Sequence, residues 1–234
     1  MSIDSLHRVF RHMRREGVSG CLRIALLQTV AWRAKLVSTQ EYYVYRYPVP
    51  CVDDLIPTPR VDGVEIKFVR CDADVDRLVE EGYEDPRVVL RYATRRIRAG
   101  AVGCLAYVDK EFASAGWIAF SEEAMETYDD LPYAVAFEEG EACTGGSWTE
   151  RRFRGLGLYA CVFGHELRYI RDHRRTICRN SIAVNNVASQ LGQAHYGARL
   201  CAIGRETRVF GWRRWTERPA EGACPSLSVI RKGN

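Results

Sequence analysis

The sequence predicts an α/β protein with a mixed, mostly antiparallel central sheet that is flanked by helices. Between residues 102 and 149, short strand-like segments follow one another with turn residues between them, which is typical of an antiparallel meander. A helical segment and one more strand come directly after, and a strand–helix–strand unit places its strands in parallel. Hydrophobic residues make up 47% of the chain and charged residues 27%, as in globular domains. A meander that continues into such a unit gives a mixed sheet.

Each predicted element is supported by its own periodicity. Val64 to Val69 alternates apolar and polar residues, as a strand with one buried face does. Apolar residues recur every three or four positions from Leu156 to Ile170, which predicts a helix. In chain order the predicted elements are a strand at 64–69, helices at 72–81 and 86–98, strands at 102–108, 113–120, 134–137 and 142–149, a helix from 156, a strand at 176–184, a helix at 186–196 and a hairpin at 200–215.

The first 60 residues are predicted to form a basic helical extension of the domain at 61–216. Four apolar residues recur at helical spacing opposite a set of arginines: Ile3, Leu6, Phe10 and Met13. Such a helix is expected to contact an anionic membrane surface or a protein partner, or to pack on the chain's own domain. An aromatic, strand-like segment at 41–48 and a proline-rich segment connect it to the domain, and residues 217–234 are expected to be a flexible tail.

Length and charge exclude several classes of protein. The chain has 234 residues and a net charge of +4, and residues 1–35 alone carry seven basic and two acidic side chains. The remainder is close to neutral, so no nucleic acid partner is expected. No run of about 18 apolar residues and no signal peptide is found in the sequence. We therefore expect a soluble, cytoplasmic protein.

The nine cysteines are scattered along the chain. They form neither a Cys-x-x-Cys pair nor a spacing that suits zinc, and their number is odd. Most have apolar neighbours, as a thiol that packs like a small hydrophobic side chain does. We expect free, buried thiols, with neither a disulfide framework nor a metal site.

The sharpest motif runs from Trp148 to Gly157, where an arginine-rich loop follows a strand and a helix begins at Gly-x-Gly. Glycine permits close approach of a ligand to the backbone, and the first N–H groups of a helix have no partner within it. The helix dipole and the side chains of Arg152 and Arg154 add positive potential at the same spot. The residues alone thus predict a phosphate or pyrophosphate site at a helix N-terminus.

Two other interpretations of this motif stay open. Gly155 to Ala160 also fits the Gly-x-Gly-x-x-Ala pattern of dinucleotide-binding folds. Such folds have a buried strand directly before the first glycine, whereas arginines intervene here and too little chain remains for a doubly wound sheet. The other interpretation is purely structural, with glycines at a tight turn and arginines on a solvated face.

A second segment adds a family resemblance. Arg152-Phe-Arg-Gly155-Leu-Gly157 resembles the Gln/Arg-x-x-Gly-x-Gly/Ala signature of the GNAT superfamily of acyl-CoA-dependent N-acetyltransferases. Asn186-Val-Ala-Ser189, followed by Tyr196-Gly197, resembles the superfamily's later Asn-x-x-Ser…Gly-Phe segment. The order of elements from residue 64 to 215 is also similar, so the resemblance covers about two-thirds of the chain. It implies a GNAT-like acyltransferase fold.

The resemblance implies a site for acetyl-CoA or another acyl-CoA, used as a co-substrate without a metal. The loop amides would hold the pyrophosphate, and the strand before the loop would pair with the pantetheine arm. Asn186 would contact the co-substrate near its thioester, with Ser189 one helical turn further on. The implied binding residues are Ser147, Trp148, Thr149, Arg152, Phe153, Arg154, Gly155, Leu156, Gly157, Leu158, Asn186 and Ser189.

The catalytic residues follow the family pattern less closely. Many members carry a tyrosine, which reprotonates the thiolate, seven residues after the position of Asn186, where this chain has Gln193. His195 and Tyr196 are the substitutes nearby, and Tyr196 is equally explained as a packed aromatic residue. Glu141 matches the general base of the histone-modifying branch, unless it and its glutamate neighbours form a solvated turn. Glu141 and Tyr196 are the candidate catalytic residues.

We therefore predict an N-acetyltransferase that moves acetyl from acetyl-CoA to a primary amine of a small molecule or peptide within a ternary complex. One alternative is a non-catalytic acyl-CoA-binding or regulatory domain on the same scaffold. Another, which rests on the basic N-terminus alone, is a nucleic-acid-binding adaptor. Glu123, Asp129 and Asp130 are expected either to attract a cationic amine or to lie on a solvated loop. No motif specifies the acceptor.

Overall fold

In a computed structural model, residues 37–49, 53–210 and 212–220 of the protein are described. The predicted N-terminal amphipathic helix and the tail beyond residue 220 lie outside these residues. Short 3-10 turns aside, the described elements are β1 (Val37–Pro48), β2 (Val64–Val69), α1 (Asp72–Glu80), α2 (Pro86–Val89), α3 (Ala93–Arg98), β3 (Val102–Val108), β4 (Glu111–Ala119), α4 (Glu122–Met125), β5 (Glu141–Thr149), α5 (Leu158–Asp172), β6 (Ile177–Ala183), α6 (Val187–Gln193), β7 (Arg199–Val209) and β8 (Trp212–Pro219).

The single helix predicted at 86–98 is wrong, because the chain breaks there into α2 and α3. Asp85 caps α2 by accepting a hydrogen bond from the Arg87 amide, and Pro86 occupies the first turn. Leu90 then adopts an extended ψ of 95° and ends the helix after one turn. Helical spacing of apolar residues continues across this break, so the sequence pattern does not reveal it.

The strand predicted at 134–137 is also wrong, since the described chain has turns there. The Phe137 amide donates to the Val135 carbonyl at 3.0 Å, and the Ala136 amide donates to the Glu141 carboxylate at 2.9 Å. These local bonds use donors that a sheet partner would need. At the other end of the domain, β8 extends to Pro219, so residues 217–219 are strand and not tail.

The eight strands form one sheet in the order β2-β3-β4-β5-β6-β1-β7-β8. The neighbours β2/β3, β3/β4, β4/β5 and β1/β6 are antiparallel, whereas β5 and β6 are parallel. The predicted mixed, mostly antiparallel sheet with flanking helices is thus confirmed. Strand β1 lies inside the sheet, so the sheet begins before the domain boundary that the sequence places at residue 61.

Helices cover both faces of the sheet. Trp117 and Ile118 are successive, fully buried residues of β4 that belong to different apolar clusters, as alternation along a strand requires. On the Ile118 face, α5 buries Phe163, whose ring lies edge-on to Tyr47 of β1 with centroids 5.0 Å apart. On the Trp117 face, α1, α3 and α4 complete the core. Long helix α5 is therefore fixed against the centre of the sheet.

A bulge redirects the second half of β5. Ala115 pairs with Trp148 and Trp117 pairs with Gly145, so one residue of β4 faces two of β5. Gly146, inside the bulge, has a φ of +56°, and a Cβ there would meet the Tyr128 side chain at 2.8 Å. Bulges bend a strand and increase its twist. The pairing of β5 with its parallel neighbour β6 ends at Cys143, just before this bulge.

Two compact units can be distinguished. The larger consists of residues 41–205 and 215–220 and contains the site described below. The smaller consists, among the described residues, of 37–40, 206–210 and 212–214, and in it Arg208 forms an ion pair with Glu206 at 3.0 Å. Among the described helices, none combines the length and the apolar character that crossing a membrane requires.

The six cysteines within the described residues are free thiols, and four of them are buried: Cys104, Cys143, Cys161 and Cys178. The expectation of buried thiols is confirmed for these four, whereas Cys71 is exposed and Cys201 only partly buried. Burial raises the pKa of the Cys143 thiol to about 12, which keeps it protonated and unreactive.

Candidate functional site

The candidate site is the cleft where β5 and β6 separate. Only Glu141 to Cys143 pair with Ile177 to Arg179. Beyond these pairs, the β6-facing edge of β5 from Thr144 to Thr149 has no strand partner in the described chain. A strand edge offers unpaired N–H and C=O groups, which can bind an extended ligand.

A groove of about 720 Å³ follows this edge. It is bounded by the end of β5, the loop before α5 and the start of both α5 and α6. Ten of the twelve predicted binding residues line it; Arg152 and Leu156 do not. Lining residues of the groove include Arg60, Ser147 to Thr149, Phe153 to Gly155, Gly157 to Ala160, Asn186 and Ser189.

A smaller cavity of about 210 Å³ continues the groove between the separated strands. Ser147, Tyr159, Asn186 and Ser189 line both spaces. Thr144, Asn180 and Gln193 also line this cavity, which is therefore polar. Groove and cavity together form one site that runs from the arginine loop into the sheet.

Two glycines shape the loop at the outer end of the site. Gly155 and Gly157 have φ values of +78° and +87°, in the left-handed region that favours glycine. A Cβ on Gly155 would meet no atom within 4 Å, so its backbone faces open space. Gly157 is the N-cap of α5 and has no side chain to cap the first N–H groups of this 15-residue helix. An anion there would satisfy the unpartnered donors and the helix dipole.

The arginines of the loop have different roles. Arg154 lines the groove and donates through Nε to the Thr149 carbonyl at 3.0 Å, which holds it beside the end of β5. Arg152 instead forms an ion pair with Glu111 at 2.9 Å. Arg60, which the motif search missed, lines the groove and donates to the Gly155 carbonyl. The cations available to a ligand in the groove are therefore Arg60 and Arg154.

Asn186 begins α6 as its N-cap. Its side chain accepts a hydrogen bond from the Ser189 amide at 3.2 Å, as an N-cap residue does. Both residues line the groove and the smaller cavity.

A directed hydrogen-bond network closes the inner end of the site. Gln193 Oε1 accepts from the Tyr47 hydroxyl at 2.5 Å and from Asn180 Nδ2 at 2.9 Å, and Gln193 Nε2 donates to the Tyr159 oxygen at 2.5 Å. The Tyr159 O–H is thereby left as a donor, and the Ser189 side chain lies within hydrogen-bond reach of the same phenol. Burial raises the pKa of Tyr159, so the phenol keeps its proton at neutral pH. Asn180 is buried, and its Oδ1 has no hydrogen-bond partner among the described residues.

On the other side of β6, Asp129 approaches the same strand. Its Oδ2 accepts from Ser181, a residue of the smaller cavity, at 2.7 Å and from Tyr133 at 2.9 Å. Its Oδ1 accepts from the Leu131 amide at 3.1 Å. Burial raises the pKa of the Asp129 carboxyl despite these donors. The carboxylate is thus linked to the cavity through one hydroxyl group.

The structure does not bring the two predicted catalytic residues into these spaces. Glu141 is buried at the paired start of β5, where Oε2 accepts from Arg179 at 2.6 Å and Arg46 lies 3.8 Å from Oε1. It does not form the solvated turn considered as its alternative. Tyr196 is buried against Phe163 and donates to the Ala160 carbonyl at 2.7 Å. Neither lines the groove or the smaller cavity among the described residues.

Sequence analysis missed Tyr159, Asn180 and Arg60. Tyr159 lies at one of the apolar positions of the helical pattern from Leu156 to Ile170, and its polar environment comes from Gln193, 34 positions later. Asn180 lies in a strand without any motif. Gly192, which the motifs give no role, lines the groove, and a Cβ there would meet the Tyr159 ring at 2.6 Å.

No protein-family model matches the chain, and no curated protein matches it significantly. Solved structures do show similarity. A tandem GNAT protein from the clavulanic acid biosynthesis pathway is 15% identical with a TM-score of 0.48, and the match covers 82% of this chain and 59% of that one. A GNAT-family acetyltransferase from Colwellia psychrerythraea is 14% identical with a TM-score of 0.43, covering 83% and 62%.

A functionally unknown conserved protein from Staphylococcus epidermidis is also similar, at 10% identity and a TM-score of 0.47, covering 77% of this chain and 64% of that one. The chain thus spans about three-fifths of the length of these three structures.

Proposed function

We propose that the chain is an acyl-CoA-dependent N-acyltransferase that transfers acetyl from acetyl-CoA to a primary amine. The observation that carries this proposal is the continuous site between β5 and β6. It begins at the Gly155–Gly157 loop, follows the unpaired edge of β5 and ends at Tyr159 and Asn180. Phosphate, pantetheine amides and thioester follow one another in acetyl-CoA in the same order.

The residues of the site fit this co-substrate. The amides at the start of α5, with Arg60 and Arg154 beside them, suit the pyrophosphate. The backbone of Ser147 to Thr149 suits the amide groups of the pantetheine arm, in the manner of an added strand. Asn180 Oδ1, which is buried and unpartnered in the described chain, is a ready acceptor for an N–H group at the inner end.

Direct transfer requires two proton movements. The amine nitrogen attacks the thioester carbonyl carbon, a C–N bond forms, and the C–S bond breaks with its electron pair going to sulfur. The Tyr159 hydroxyl, oriented by Gln193, gives a proton to that sulfur. Asp129, acting through the Ser181 hydroxyl, takes a proton from the amine. The remaining contribution is the positioning of both reactants in the cleft.

A non-catalytic acyl-CoA-binding domain is the second candidate. It is favoured by the ion pair that holds Glu141 to Arg179 and by the presence of Gln193 where many GNAT members have a tyrosine. Release of free thiol from acetyl-CoA in the presence of amines separates the two candidates, because only a transferase gives turnover.

Both candidate functions require that the groove binds acyl-CoA, and calorimetric titration with acetyl-CoA tests this. Gly157→Asp places a negative charge at the expected phosphate position, and we expect it to abolish measurable binding. The matched control is Gly100→Asp, at a position outside the site with a φ of +86° against +87° at Gly157. A Cβ on Gly100 would meet no atom within 4 Å, so the control adds no steric clash. Backbone strain is therefore similar in the two variants.

Circular dichroism verifies that both variants are folded. Loss of binding in Gly157→Asp but not in Gly100→Asp supports the co-substrate site. Undiminished affinity for acetyl-CoA in folded Gly157→Asp protein would falsify the co-substrate site and would mean that the loop is only a structural turn.

A further inference from the structure

A third cavity, of about 410 Å³, adjoins the same stretch of β5. It shares Gly146 and Ser147 with the small cavity of the cleft and Ser147 and Trp148 with the groove. Its other walls come from the segment that joins α2 to α3 and from α3 itself. The lining residues are Val89, Leu90, Arg91, Tyr92, Arg96, Gly146, Ser147 and Trp148, among which there are two arginines and no carboxylate.

The Arg96 side chain in this cavity is half-buried between aromatic rings. Its guanidinium carbon lies 5.2 Å from the centre of the Trp117 ring and 5.9 Å from that of Tyr128. One nitrogen, Nη1, donates to the Gly146 carbonyl at 3.2 Å. The Nε group is buried and has no hydrogen-bond partner among the described residues. Burial lowers the pKa of Arg96, as expected of a cation that loses hydration.

Arg96 has no counter-charge of its own. Within residues 37–49, 53–210 and 212–220, no carboxylate lies within 4 Å of its guanidinium. Two other half-buried arginines have carboxylate partners: Arg87 contacts Asp85 at 2.9 Å, and Arg179 contacts Glu141 at 2.6 Å. Arg168 and Arg175 contact His165 and the Phe137 carbonyl instead. A desolvated charge without a partner is costly, and an arginine remains charged at any physiological pH. An anion entering the cavity would supply the missing partner.

We propose that Arg96, with Arg91 at the rim, binds an anionic group of the acyl acceptor. The acceptor class is then a zwitterionic amine, which carries a carboxylate or phosphate besides its amino group, and not a polyamine. This inference rests on the proposed function, since it identifies the substrate of that transfer. The cavity lies on the stretch of β5 that also borders the cleft, so the amino group of such a molecule has a short path to the thioester.

The acidic loop residues of the sequence analysis do not offer the same access. Asp129 and Asp130 line a separate cavity of about 400 Å³ with Glu122 and Glu126. None of the residues lining it borders the groove, the cleft cavity or the Arg96 cavity. Asp129 contacts the cleft cavity through the Ser181 hydroxyl, but the cavity that it lines lies apart from the three spaces that share Ser147.

Matched pairs of amines test the proposal on the full-length chain. Calorimetry compares L-phenylalanine with phenethylamine and O-phosphoethanolamine with ethanolamine, each with and without saturating acetyl-CoA. We expect the anionic member of a pair to bind at least about tenfold more tightly, as a charge-assisted contact allows. Arg96→Gln should erase this preference, and Arg96→Lys, which keeps the charge, should retain part of it.

The control variant is Arg95→Gln, which removes an exposed arginine from the neighbouring position of α3 and should leave the preference unchanged. The proposal is overturned if no anionic member is preferred, or if the preference survives in folded Arg96→Gln protein. Thiol release is measured on the same pairs. An Arg96-dependent preference for the anionic amine without thiol release supports the anion site and contradicts the transferase function. Thiol release without such a preference supports the transferase function and contradicts the anion site.

Discussion

Gln193 donates a hydrogen bond from its side-chain amide to the hydroxyl oxygen of Tyr159 at 2.5 Å. Because the Gln193 carbonyl is already occupied by Tyr47 and Asn180, the amide has one orientation only, and the Tyr159 proton points away from it. A residue of α6 thereby fixes the donor that α5 presents to the cleft. The pair couples the two helices that border the proposed acyl site.

Tyr159→Phe should lower the turnover number by about 100-fold, since a positioned general acid contributes on this scale. The affinity for acetyl-CoA should change little because the ring is retained. The control is Tyr169→Phe in the same helix. The Tyr169 ring lies away from the cleft and stacks on Phe68, with ring centroids 4.6 Å apart. Steady-state kinetics and calorimetry measure the two effects separately, and equal activity of both variants contradicts an acid role for Tyr159.

The pH profile of turnover gives a second measurement on the same group. Burial raises the pKa of Tyr159, so the protonated, active form persists through neutral pH and is lost only above the ordinary phenol range. A basic limb due to Tyr159 should therefore lie above about pH 10 in wild type and be missing in Tyr159→Phe. A limb that is unchanged in the variant belongs to another group.

Arg154→Ala should weaken acetyl-CoA binding by about 1–3 kcal/mol, the range of a hydrogen bond to a charged group. Arg152→Ala should weaken it less, because that side chain is engaged with Glu111 and does not line the groove. Calorimetry on both variants gives the ranking. The reverse order means that the pyrophosphate lies on the Arg152 side of the loop.

Glu141→Gln should destabilise the fold by about 1–3 kcal/mol, because it leaves the half-buried Arg179 guanidinium without its charge partner. Urea unfolding of the single variants and of a Glu141→Gln, Arg179→Gln double variant measures the coupling between them. If folded Glu141→Gln protein loses acyl transfer while its stability is unchanged, Glu141 acts as the base that the family resemblance implies.

Local patterns predicted most of the fold, whereas long-range pairing escaped them. Aromatic composition identified the strand-like segment at 41–48 that lies in β1, but the partner strand β6 lies more than 130 residues later, with Tyr47 opposite Cys178. Nothing local to β1 indicates that it enters the sheet beside β6. The break of the predicted helix 86–98 at Leu90 has a local cause, but the helical spacing of the apolar residues continues across it, so the sequence pattern does not show it.

The candidate site likewise has features that the local sequence predicts and features that depend on residues distant in sequence. The Gly155–Gly157 motif depends on backbone conformation and helix position, both of which short sequences encode, and its glycines do line the groove. Tyr159, Asn180 and Arg96 gain their properties from groups distant in sequence: Gln193 for the first two, Trp117 and Gly146 for the third. Their exposure and hydrogen-bond partners exist only once the sheet has formed. Chemistry of this kind is visible in the structure alone.

Glu166 provides a test of the core beneath the site. Its side chain on α5 is fully buried against Gly116 of β4, opposite the β5 bulge, and neither carboxyl oxygen has a hydrogen-bond partner among the described residues. Burial raises its pKa well above the ordinary value of 4.5. The folded protein therefore keeps this proton, whereas the unfolded chain releases it above pH 4.5.

Stability should accordingly fall as the pH rises above 4.5, by up to about 1.4 kcal/mol per pH unit from this group, until the folded-state pKa is reached. Glu166→Gln has nearly the same shape and no proton to lose, so it should match wild type near pH 4 and be more stable at about pH 7. Urea unfolding at intervals of about one pH unit across this range follows the difference between the two proteins. The control Glu80→Gln, at an exposed position of α1, should run parallel to wild type. A difference between Glu166→Gln and wild type that is constant across this range would mean that the Glu166 carboxyl has the same pKa in the folded and the unfolded protein, which contradicts the effect of burial on this group.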